Sequence, residues 1–210
     1  RVVPFFPPGS VHIAVADPGV GTDRRPIGLR IGDQKFIVPD NGLITPLLED
    51  GENAGKPIEI VHLNNQDYWL PEVSHTFHGR DIFAPTGAHL AKGIPLKELG
   101  DLIDDPIRIE YYRPKKTKKG YEAHITIIDV FGNLTTDLPA QKIIDAKHVT
   151  FRFKDHVIDG LVYSYGRREH GELIALVDSE YYIEISVVNG SAAQFTEAEI
   201  GDCVEVIVNG

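Results

Sequence analysis

Three clusters of polar side chains follow apolar stretches in this chain, and their residue types limit what chemistry it can do. The first is Asp17-Pro18-Gly19-Val20-Gly21-Thr22-Asp23-Arg24-Arg25. It places an acid at the end of an apolar run, lets the backbone approach a ligand at Gly19 and Gly21, and returns an arginine. A structural turn with surface charges is the alternative. The second, Ser74-His75-Thr76-Phe77-His78-Gly79-Arg80-Asp81, crowds ionisable and hydroxyl side chains at a helix start, where electron-rich groups bind well. His75, His78 and Asp81 are also spaced i, i+3, i+6 to share a helical face and hold a metal. Capping plus a packed histidine is the plainer reading. The third, Asp129-Val130-Phe131-Gly132-Asn133, sets an acid, an aromatic and an amide at alternate positions of an extended chain, where they can hold an amino-acid head group. Otherwise it is a hairpin turn with Gly132-Asn133 at its tip. Asn189-Gly190-Ser191-Ala192-Ala193 joins a strand to a short helix through small residues. Its backbone can bond a flat base edge, or it is a plain turn.

The elements that must position these residues follow from hydrophobic periodicity. Val11 to Ala16 reads as a buried strand, Gly28 to Val38 as a hairpin turning at Gly32-Asp33, Leu43 to Asp50 as a helix facing inward with Leu47 and Leu48, and Ile58 to Leu63 as a strand. Gly79 to Lys92 reads as a helix with Ile82, Phe83, Ala88, Leu90 and Ala91 inward, though Pro85 and Gly87 disturb its first turn. A polar, proline-bearing stretch with Lys115, Lys116, Lys118 and Lys119 then marks a boundary. Beyond it, Ala123 to Val130, His148 to Phe153, Leu173 to Val177, Tyr182 to Val188 and Cys203 to Val208 are short β-branched segments punctuated by glycine. The expected architecture is an α/β domain over 1–110 with a central sheet flanked by helices, a linker over 111–121, and an all-β, barrel-like domain over 122–210.

Composition excludes several classes. With 210 residues, 42% hydrophobic and 25% charged, the chain is neither disordered nor collagen-like. A formal charge of −10 argues against nucleic acid as a partner, and no apolar run is long enough for a membrane span. The single cysteine, Cys203, forms no internal disulfide and points to the cytoplasm. The chain starts at Arg1 and contains no methionine, so residue 1 is not expected to be the native translation start.

Asp17-Pro18-Gly19-Val20-Gly21-Thr22 with Arg24-Arg25, then Pro39-Asp40-Asn41-Gly42, Thr76-Phe77-His78-Gly79-Arg80-Asp81, Phe131-Gly132-Asn133 and Ser191-Ala192-Ala193 resemble, in order and spacing, the S-adenosylmethionine hydroxide adenosyltransferases, relatives of the fluorinases and chlorinases. The resemblance implies hydrolysis of S-adenosylmethionine to adenosine and methionine, with water or hydroxide attacking the ribose C5′. It implies that Asp17, Arg24 and His78 handle the water. It places Asn41, Thr76, Phe77 and Gly79 among the substrate-binding residues, with Asp129, Phe131 and Asn133 at the methionine and Ser191 and Ala192 at the adenine. The halogenating relatives carry Tyr and Ser where this chain has His78 and Gly79, so halide is not the expected nucleophile. The resemblance also implies a homotrimer with sites between subunits, a substrate rather than a cofactor in S-adenosylmethionine, and no metal. Family members begin with an upstream strand and a Thr-Asp-Phe-Gly-type motif whose aspartate grips the ribose, and those first strands are expected to be missing from residues 1–110. Two rival readings are a metal-dependent hydrolase using His75, His78 and Asp81, and a non-catalytic trimer that binds S-adenosylmethionine or adenosine.

Overall fold

In the computed structural model, which describes residues 2–209, apolar side chains on alternate positions bury both faces of a sheet in the first unit, Val2–Glu110. Its strands are β1 (Val11–Ile13), β2 (Pro26–Ile31), β3 (Gln34–Pro39), β4 (Ile58–His62) and β5 (Asp101–Leu102), and its helices are α1 (Thr45–Asn53) and α2 (Ala84–Ala91). The sheet order is β1-β3-β2-β4-β5, with β1 parallel to β3 and the other pairs antiparallel. Ile27, Leu29, Ile31, Phe36, Val38 and Ile60 pack on Leu48 of α1 on one face. Ile37, Val61 and Leu63 pack with Phe83 and Leu90 on the other. Gly28 lies on this second face, where an added Cβ would sit 2.8 Å from a Leu96 methyl and 2.9 Å from a Leu63 methyl, so a larger residue would require both leucine side chains to shift.

Two local readings of this unit need correction. The expected buried strand Val11 to Ala16 stops at Ile13, and residues 13–16 are exposed. β1 is an edge strand paired only with β3, so apolar composition there does not mean burial. The expected helix Gly79 to Lys92 begins as a π-helical turn, Gly79–Phe83, and continues as α2. The wider turn shifts the phase, so Phe83, Thr86, Gly87 and Leu90 face inward while Ala88 and Ala91 face solvent.

The second unit begins at Tyr111. It comprises β6 (Lys115–Lys116), β7 (Gly120–Ile128), β8 (Leu134–Pro139), β9 (His148–Phe153), β10 (His156–Asp159), β11 (Leu173–Val177), β12 (Tyr182–Val187), α3 (Ala192–Thr196) and β13 (Cys203–Asn209). The sheet order is β10-β9-β13-β7-β8-β12-β11, with β6 added to β7. It is antiparallel throughout and curls into a nearly closed barrel. Bulges between Ile125 and Ile127 and between Tyr182 and Glu184 add the curvature that this needs. Inside lie Ala123, Ile125, Phe151, Phe153, Ile183, Ile185, Val204 and Val206. β6 and the start of β7 lie within 111–121, so the sheet reaches into the stretch read as a linker. The α/β and barrel-like classes expected from periodicity are the ones observed. Sequence patterning passed over β8, because its buried Thr135, Thr136 and Asp137 interrupt the apolar alternation.

Among the described residues, no helix is long and apolar enough to cross a membrane. Phe151, fully buried on β9, anchors the barrel core. Phe151→Ala is expected to lower the stability of the second unit by about 3–5 kcal/mol, read as a shift of its denaturant midpoint.

Candidate functional site

The glycine-rich turn that leaves β1 folds back so that Arg24 meets Asp17. Arg24 Nε donates to Asp17 Oδ1 at 3.0 Å, and its Nη2 donates to Asp17 Oδ2. The two side chains are only 6% and 5% exposed. Arg24 Nη2 also lies 3.3 Å from His78 Nδ1, and the guanidinium sits over the Phe83 ring at 5.1 Å. Arg24 Nη1 is buried and has no hydrogen-bond partner among the described residues. A guanidinium held by a carboxylate and an imidazole, with its Nη1 left over in a buried setting, can donate to a small oxygen-bearing ligand.

Local structure explains how residues far apart in sequence meet. Gly21 has φ +78°, and a Cβ there would lie 2.4 Å from the His75 carbonyl oxygen. Only glycine therefore lets the 74–78 loop lie on the 17–24 turn. That loop is pinned by Asp81, whose Oδ2 accepts from both the backbone N–H (2.8 Å) and the hydroxyl (2.7 Å) of Ser74. Ser74 Oγ accepts in turn from Phe77 N–H at 3.1 Å. Hydrogen bonds from Arg80, then from Ser74, hold the buried Asp81 carboxyl well below the usual carboxylate range. Asp81 thus serves the loop that carries His78, a use its place in the sequence did not indicate. Among the described residues no group of three or more His, Cys, Asp or Glu side chains is placed to hold a metal, so His75, His78 and Asp81 do not form the expected alternative centre.

The remaining residues expected in this unit are partly redirected. Asn41 Nδ2 donates to the Ala16 carbonyl at 2.8 Å, and its Oδ1 accepts from Leu43 N–H at 3.2 Å, so its side chain holds the approach to Asp17. Thr76 and Phe77 are exposed beside His78, with the Arg80 guanidinium 5.0 Å from the Phe77 ring. An added Cβ at Gly79 would meet Phe77 and Val15 at an ordinary 3.8 Å. The chain's own packing therefore does not demand glycine there.

In the second unit the Asp129 to Asn133 segment is the turn between β7 and β8, and its side chains do not alternate along an extended chain. Asp129 Oδ1 accepts from Phe131 N–H (2.8 Å) and Asn133 N–H (2.9 Å), and Oδ2 accepts from Asn133 Nδ2 (2.9 Å). Burial would raise the Asp129 pKa, but the bonds from Asn133 and Phe131 outweigh it and hold the carboxyl below its ordinary value. Phe131 is left exposed. Gly132 (φ +84°) touches Ser191, whose Oγ would lie 2.0 Å from an added Cβ, and Ala193 N–H donates to the Gly132 carbonyl at 2.9 Å. The turn and the Asn189 to Ala193 loop, read separately in sequence, are one assembly. Ser191 caps α3 by accepting from Gln194 N–H at 3.1 Å, and the Ala192 methyl is buried in the barrel core, leaving Ala192 only its backbone to offer a ligand.

The fold is an α/β unit carrying an Asp-Arg-His cluster, followed by a β-barrel unit with a paired turn and loop. Residues 1–100 match the model of the SAM hydroxide adenosyltransferase N-terminal domain, and residues 123–205 match that of the C-terminal domain. The chain belongs to this family. It is 35% identical over 216 residues to a protein of Salinispora tropica named (R)-S-adenosyl-L-methionine hydrolase, covering 98% of this chain and 77% of that one. A fluorinase of an Actinoplanes species is 32% identical over 161 residues, with 64% of this chain and 53% of the fluorinase covered. A solved structure of an uncharacterized conserved protein from Thermotoga maritima superposes with a TM-score of 0.83 at 33% identity, covering 96% of this chain and 78% of that one.

The depressed pKa of Asp81 fixes a sign. Its stabilising contribution is fully present above the unfolded value of about 3.9 and is lost as pH falls from there towards the lower folded value. Asp81→Asn is expected to lower the melting temperature at neutral pH and to flatten the fall in stability below about pH 4, measured by thermal melts across acidic pH.

Proposed function

We propose that this protein hydrolyses S-adenosyl-L-methionine to adenosine and L-methionine. The observation that carries the reading is the buried Nη1 of Arg24, unpartnered among the described residues, inside the Asp17–Arg24–His78 cluster, in a chain of this family. A water oxygen attacks the ribose C5′ in line, the C5′–S bond breaks, and its electron pair stays on sulfur. The sulfonium thereby leaves as a neutral thioether, so its departure needs no acid. The difficulty lies with the nucleophile, because bulk water has a pKa near 15.7. Arg24 stabilises the hydroxide as it forms, while Asp17 and His78 orient the water and take its proton. Positioning in a dry setting supplies most of the remaining acceleration.

Asn41, Thr76, Phe77 and Gly79 frame the cluster. We assign the Asp129–Asn133 turn, with Phe131 as its exposed aromatic face, to the methionine portion, and the Ser191-Ala192 backbone to the adenine. The reaction uses no metal and no cofactor. Equal yields of adenosine and methionine, unaffected by chelator, are expected by chromatography. His78→Ala is expected to lower kcat by about 100- to 10,000-fold, and unchanged turnover in this variant would remove His78 from the mechanism. Binding without turnover would replace the hydrolase with a binding protein.

The working form we propose is a cytoplasmic homotrimer with sites between subunits. Exposed Ile13, Val15, Phe77, Val130 and Phe131 are the kind of apolar surface that association covers. Light scattering is expected to give the mass of three chains, and a monomer would refute the assembly.

A further inference from the structure

Arg25 follows Arg24 in sequence and Asp40 precedes Asn41, and neither belongs to the Asp17–Arg24–His78 cluster. Asp40 is 1% exposed. Its Oδ2 accepts from Arg25 Nε at 3.0 Å and Nη2 at 2.7 Å, and its Oδ1 accepts from the Ile107 backbone N–H at 2.8 Å. The backbone repeats the link, because Asp40 N–H donates to the Arg25 carbonyl at 2.9 Å and Pro26 pairs with Pro39 across β2 and β3. Side chains and main chain together close the open end of the β2–β3 hairpin.

The residues that follow from this closure are those of the site. Arg24 is the next residue outward from Arg25 on one arm, and Asn41 is the next from Asp40 on the other. Asn41 Nδ2 bonds the Ala16 carbonyl, one residue from Asp17. Both arms therefore end on the two halves of the Asp17–Arg24 pair. Arg25 also donates from Nη1 to Asp105 Oδ1 and from Nη2 to the Asp105 carbonyl, each at 2.9 Å, so the 105–107 strap is tied to the same point. His62 of β4 is affected by the same pair. Burial, then the Arg25 charge, pushes its imidazole below the ordinary value. A buried ion pair is a weak device for stability alone, since well-packed apolar groups usually serve as well. What it supplies is fixed geometry, because two guanidinium N–H groups converge on Oδ2 while Oδ1 holds the Ile107 N–H, so the carboxylate is pinned at both oxygens.

We propose that Arg25 and Asp40 are positioning residues for the hydrolysis, closing the hairpin so that Arg24 and the Asn41-braced Asp17 keep their aim at the attacking water. The proposal rests on the hydrolase reading above. Neither residue touches the reacting atoms, and both act through their chain neighbours. The segment after Asp105 supplies a control. Glu52 of α1 holds Arg108, accepting from its Nη1 at 2.9 Å, and so ties the same strap without bonding to the cluster.

The test compares the wild-type protein with Asp40→Asn, Arg25→Lys and Glu52→Gln, each shown folded by circular dichroism, across a pH series of S-adenosylmethionine turnover. Asp40→Asn is expected to lower kcat by about 100-fold, the scale of a small misplacement of a catalytic group. KM should stay near its wild-type value, and the pH of half-maximal kcat should move upward as hydroxide loses its cation. Arg25→Lys keeps the charge but not the fork, so a smaller loss in the same direction is expected. Glu52→Gln should keep wild-type kcat. Folded Asp40→Asn or Arg25→Lys protein with wild-type kcat and pH midpoint would overturn the proposal, as would an equal loss in Glu52→Gln. If Asp40→Asn does not fold, Arg25→Lys decides by the same two readouts. An inactive wild type would overturn the hydrolase reading and this proposal with it, whereas an active wild type with unaffected variants overturns the proposal alone.

Discussion

A guanidinium taken out of water must be matched by acceptors at once, since the effective penalty for burying an ion is several kcal/mol. Arg24 meets this demand with the Asp17 carboxylate, the His78 ring and the Phe83 face. The need to match one buried cation explains why distant stretches of the first unit converge. The match is incomplete at Nη1, whose two N–H groups have no partner among the described residues. Incomplete satisfaction of a buried donor is costly in a purely structural setting, and it is what a site must retain if an incoming oxygen is to find a partner there.

The scaffold around the cation is assembled from departures from regular structure. Gly21 takes a left-handed conformation so that the His75 carbonyl can lie against the turn. The helix after His78 opens as a π-helical turn and turns Asp81 inward to hold Ser74. The β2–β3 hairpin, regular through its register, ends in a charged clasp. Each departure has a named compensating contact, which is how strained or polar local choices persist in a folded protein.

The second unit solves a different problem. Its barrel core is ordinary alternation, whereas its polar turn and loop are held by short-range bonds, Asp129 to its own turn and Ser191 to its own helix, and are joined by the Ala193 N–H bond to the Gly132 carbonyl. Rigid turns of this kind present backbone groups and the exposed Phe131 ring without relying on mobile side chains. A preorganised surface lowers the ordering that a bound ligand must impose.

Much of this was legible in the sequence because it depends on local rules. Alternation marked β2, β3, β9, β11, β12 and β13, Gly32-Asp33 marked the hairpin, and the ordered motifs marked the family, whose resemblance pointed to Asp17, Arg24 and His78. Residue type and spacing determine such features before any packing occurs. Tertiary structure alone decided which apolar positions are inside, so Val15 at a sheet edge and Ala91 beyond a π-helical turn lie outside despite their composition. It also decided what each polar side chain does: Asn41 spends its side chain on backbone, Asp129 binds the backbone and the Asn133 side chain of its own turn, Asp81 serves a loop, and Gly132 and Ser191 form one assembly. Partners separated by tens of residues are chosen by chain geometry and by the need to satisfy buried polar groups, and neither is encoded in spacing along a strand or helix.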